Sequence, residues 1–68
     1  MGSMSDQEKL RILLAYWIEH NLDHAQDFRQ WAQRAEAFGS KEAASKLEAA
    51  AQEMAALNDS LRTALDLL

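Results

Sequence analysis

The sequence predicts an all-α protein, an antiparallel two-helix hairpin that self-associates into a four-helix or larger bundle. Three observations predict it. Ala, Leu, Glu, Gln, Lys and Arg dominate its 68 residues, with no Pro and only two Gly, a composition of strong helix formers with few breakers. Apolar residues recur at the spacing of one helical face on both sides of Gly39. The face they form is wider than a single neighbouring helix can cover.

The elements follow in order. Met1-Gly2-Ser3-Met4 reads as a cloning remnant and disordered start ahead of one domain spanning 5–68. Ser5 and Glu8 have the spacing of a capping box, so helix 1 begins near residue 6. No breaker follows until Gly39, which suits the left-handed residue that ends a helix. Ser40 can cap the next helix, and Glu42 favours its first turn through the helix dipole. Helix 1 is therefore expected over about 6–38, the turn over 39–40 and helix 2 over about 41–66. So short a turn forces the helices antiparallel.

Wound as a helix, the first segment places Leu10, Leu14, Trp17, Ile18, Asn21, His24, Ala25, Phe28, Ala32 and Ala35 on one stripe, flanked by Leu13 and Trp31. The second places Ala43, Ala44, Leu47, Ala50, Ala51, Met54, Asn58, Leu61, Leu65 and Leu68 on another. With the turn centred at 39–40, facing positions have numbers summing to about 79. Leu14 then meets Leu65, Ile18 meets Leu61, Phe28 meets Ala51 and Ala32 meets Leu47, which lets large and small residues interdigitate. The same rule sets Asn21 against Asn58, with His24 one turn away beside Met54 and Ala55. The polar interruptions thus fall into one layer, Asn21, His24 and Asn58. A hairpin leaves part of Leu14, Trp17, Phe28, Trp31 and Leu61 uncovered, and these are the expected oligomer interface. A homodimer is favoured and a trimer of hairpins would also bury the patch.

Composition narrows the function. The net charge is −4, and the seven basic residues are scattered among eleven acidic ones. No basic stripe is available for nucleic acid or an anionic membrane surface. There is no Cys, which excludes disulfides and thiolate metal ligands. No run of about 18 apolar residues exists to span a membrane, and no signal peptide is visible, so a cytoplasmic protein is expected.

The polar layer has two readings. A buried Asn or His in a helical bundle commonly fixes register and oligomer state at some cost in stability. Alternatively, His20 and His24 project from one face of helix 1 and can hold nickel or zinc through imidazole nitrogens, with Asp27 as third ligand or as a partner to His24. Catalysis is not expected. The Glu19-His20-x-x-x-His24 order is not the His-Glu-x-x-His of zinc proteases. The Glu-x-x-His ligands of di-iron bundles are absent as well.

Trp17-Ile18-Glu19-His20-Asn21, followed by His24 and then Phe28-x-x-Trp31-Ala32, resembles a family of small prokaryotic helical-hairpin domains to which no activity is assigned. The resemblance covers nearly the whole chain and implies the same hairpin. It implies a His just before the Trp, where this chain has Tyr16, a poorer ligand for nickel or zinc. The expected role is a small self-associating interaction or assembly module. The alternative is a transition-metal-binding accessory protein.

Overall fold

In the computed structural model, which describes residues 4–68, the chain forms two antiparallel α-helices. Helix α1 spans Asp6–Ala37 and helix α2 spans Lys41–Asp66. They pack along their length into a slab measuring 58 × 21 × 10 Å, one helix thick. The expectation for residues 1–3 lies outside the described residues.

Local chemistry sets the ends. The Ser5 hydroxyl accepts a 3.2 Å bond from the Glu8 backbone N–H, satisfying one of the donors left free in the first turn. α1 stops one residue earlier than expected, because Phe38 departs from helical geometry at φ −92°, ψ 12°. Gly39 follows at φ +93°. Its N–H reaches the Glu36 carbonyl at 3.1 Å, and the Ser40 N–H reaches that of Ala35 at 2.8 Å. These two bonds make a Schellman motif. The expected side-chain cap at Ser40 is not made. The Ser40 backbone stands at ψ 79°, against 160° at Ser5. At the open end, Gln7 Nε2 and the Arg11 guanidinium both donate to the Leu68 carbonyl oxygen.

The covered positions of α1 are Leu14, Ile18, Asn21, Ala25, Phe28, Ala32 and Ala35, alternately four and three residues apart. Those of α2 include Ala44, Leu47, Ala51, Met54, Asn58, Leu61 and Leu65 in the same rhythm. This is the heptad seam of an antiparallel coiled coil. It corrects the broader stripes expected above. Leu10, Trp17, His24 and Ala43 lie on the flanks of the seam and are exposed, because a facing helix covers only two positions in seven. Five of the six buried apolar residues are alanines, the sixth being Leu14. Alanine lets the helices approach closely but removes little apolar area from water.

Candidate functional site

The seam holds one amide layer. Asn21 Nδ2 donates to Asn58 Oδ1 at 3.0 Å, and Asn58 Nδ2 donates to the Ile18 carbonyl at 2.9 Å. Asn58 is the most deeply buried polar side chain, 1% exposed. Among the described residues no buried side-chain nitrogen or oxygen lacks a partner. The layer therefore carries none of the roughly 1–3 kcal/mol that an unpaired buried polar group costs.

His24 stands outside this layer. The seam passes from Asn21 to Ala25, so position 24 turns onto the flank and out of reach of Asn58. Its partner is His20, one turn back, with the two Nε2 atoms 3.0 Å apart. The imidazoles meet edge to face at 4.5 Å between centroids. Tyr16 stacks on His20 at 5.6 Å and Phe28 stacks on His24 at 6.1 Å. Four rings thus climb α1 in i, i+4 steps, from the solvent edge at Tyr16 to the seam at Phe28. The recurrence at 16, 20, 24 and 28 is readable in the sequence, although only the histidines stood out there. Asp27 is not brought into the pair. Among the described residues no cluster of three or more His, Cys, Asp or Glu could hold a metal ion.

The hairpin has two unlike broad faces. On one flank of the α1 seam, Leu10, Trp17, His24, Trp31 and Phe38 follow each other at intervals of seven. Antiparallel packing puts the α2 flank of Ala43, Ala50, Leu57 and Ala64 on the same side. Trp17 is 40% exposed, Trp31 54% and Phe38 71%. The Arg34 guanidinium lies 4.5 Å over the Trp31 ring, a cation–π contact at the edge of the face. The opposite face carries Glu8, Arg29, Glu36, Lys41, Glu48 and Arg62, with Ala15, Leu22 and Ala55 between them. A shallow open groove there, lined by Gln33, Glu36, Lys41 and Glu48 over Ala32 and Ala44, brings no catalytic grouping together. Of the expected interface residues, Leu14 is consumed by the seam, Phe28 and Leu61 are half-buried in it, and Trp17 and Trp31 stand free on the aromatic face. No described helix is long and apolar enough to cross a membrane.

A family model described as a domain of unknown function (DUF8180) matches residues 10–68, and the chain belongs to that family. No curated protein is significantly similar to it. No solved structure is either.

Proposed function

We propose that this DUF8180 hairpin is a self-associating interaction and assembly module, two copies of which stack through their aromatic faces into a four-helix bundle. The observation that carries the reading is the contrast between the two broad faces. One is charged. The other exposes Leu10, Leu13, Trp17, Trp31 and Leu57 beside a seam built mostly from alanine. A core this thin seldom stabilises so short a chain unaided, and an apolar face of this kind marks a protein partner surface. A second copy supplies the same face in a closed, symmetric arrangement. The Asn21–Asn58 layer serves the module by fixing register.

On this reading the protein is a cytoplasmic binding module rather than an enzyme. The Trp17-to-Asn21 pattern with His24 belongs to its prokaryotic relatives. Its scattered basic residues give it no affinity for nucleic acid or anionic membranes. Sedimentation equilibrium at micromolar concentration tests the proposal. A dimer is expected. A well-folded monomer overturns self-association, and a trimer overturns the two-fold stacking.

A further inference from the structure

We infer that the stacked dimer completes a metal site. The His20–His24 pairs of the two copies bring four imidazole nitrogens to one divalent transition-metal ion, zinc or nickel, on the two-fold axis. This rests on the self-association proposed above and adds a ligand to it.

The pair is already set as half of such a site. Two nitrogens bound to one ion at about 2.0–2.1 Å lie about 3–3.4 Å apart, and the His20 and His24 Nε2 atoms are 3.0 Å apart. Both side chains are exposed, so both lone pairs can turn outward to a shared ion. Binding requires each ring to carry its proton on Nδ1, so the ring that donates between the two Nε2 atoms shifts that proton to its own Nδ1, by exchange with water, as the metal enters. Tyr16 and Phe28 stack on the two rings and limit how far they swing. Two ligands alone do not make a closed site, since these metals take four or more. No third ligand stands near enough among the described residues.

The second copy supplies what is missing because the face is symmetric about His24. Its heptad-spaced residues read Leu10, Trp17, His24, Trp31, Phe38, an apolar residue, a Trp, the His, a Trp and an apolar residue. In a two-fold interface, residue i meets j while j meets i. An axis at His24, with α1 running antiparallel to its copy, sets Trp17 on the partner's Trp31 and Leu10 on the partner's Phe38. It brings His24 to its own copy. An axis one heptad away, at Trp17 or Trp31, would lay each imidazole on the partner's Leu10 or Phe38 and leave the outer aromatic residues unmatched.

Zinc and nickel titrations of the full chain by isothermal calorimetry, with parallel sedimentation equilibrium in EDTA, test this. The expected result is one ion per two chains, a dimer that survives EDTA, and loss of binding in His20→Ala and in His24→Gln. Both positions are exposed, so the variants should fold. Asp27→Asn should bind as the parent does. A dimer that takes up no metal overturns the site and leaves self-association standing. A monomer with and without metal overturns both. One ion per chain, lost in Asp27→Asn, is a single-chain site and overturns the shared one. A dimer formed only with metal, at one ion per two chains, supports the site and makes it the condition of assembly.

Discussion

Asn21 and Asn58 are joined across the seam by a 3.0 Å hydrogen bond, and Asn58 uses its amide nitrogen to reach back to the Ile18 carbonyl. Amides in an alanine-rich seam set the register, because sliding one helix past the other strands both. Asn21→Leu should cost about 1–3 kcal/mol, since it leaves the buried Asn58 oxygen unpaired. Replacing both with Leu should recover part of that loss, with a less uniform oligomer as the consequence. A double-mutant cycle in urea should give a coupling of about 1 kcal/mol. Zero coupling would mean that the bond contributes nothing to stability.

Phe28 and Ala51 test the seam itself. Ala51 is 0% exposed, and position counting sets it opposite Phe28. Ala51→Leu should destabilise by about 1–3 kcal/mol through overpacking. Phe28 is only half-buried, so Phe28→Ala should cost about 1.5–3 kcal/mol rather than the larger loss of a fully enclosed ring. Unchanged thermal melts for both would mean a different register.

The ends of the helices separate two serines that look alike in sequence. Ser5→Ala should cost about 0.5–2 kcal/mol, because its hydroxyl caps the Glu8 N–H. Ser40→Ala should change little, because its hydroxyl makes no such bond. Gly39→Ala should lose about 1 kcal/mol from its φ of +93° alone, as a Cβ there would meet nothing within 4 Å. Chemical denaturation of the three variants gives the order. Equal losses at both serines would contradict the cap assignment.

These ends were legible because they depend on neighbours in sequence. A hydroxyl three residues before a Glu, and a lone Gly after a long helical run, carry their geometry with them. The helix pairing was legible because a short turn leaves one way to count levels, which brings Asn21 to Asn58. What the wheel could not give is where the seam stops. Leu10 and Trp17 look as apolar as Leu14 and Ile18, and only the partner helix decides which pair it covers. The same blur drew His24 into the amide layer. Ser40 escaped for a different reason. Its N–H is tied to Ala35 in the turn that ends α1 and its backbone is not in the extended form of Ser5, neither of which a residue-type rule contains.

The symmetric face can be mapped with engineered disulfides, since the chain has no Cys of its own. A disulfide forms readily only when two Cα atoms come within about 4.4–6.8 Å. With the two-fold axis at His24, His24→Cys alone should oxidise to a covalent dimer. Trp17→Cys mixed with Trp31→Cys should cross-link to each other faster than either links to itself. The non-reducing gel reads both. Trp31→Glu, at a position 54% exposed in the hairpin, should leave the helical circular dichroism intact and move the sedimentation profile toward monomer, because a carboxylate would then face the partner's Trp17. Rapid self-linking of Trp17→Cys would place the axis one heptad closer to the start of α1. It would set His24 against an apolar flank instead of its own copy.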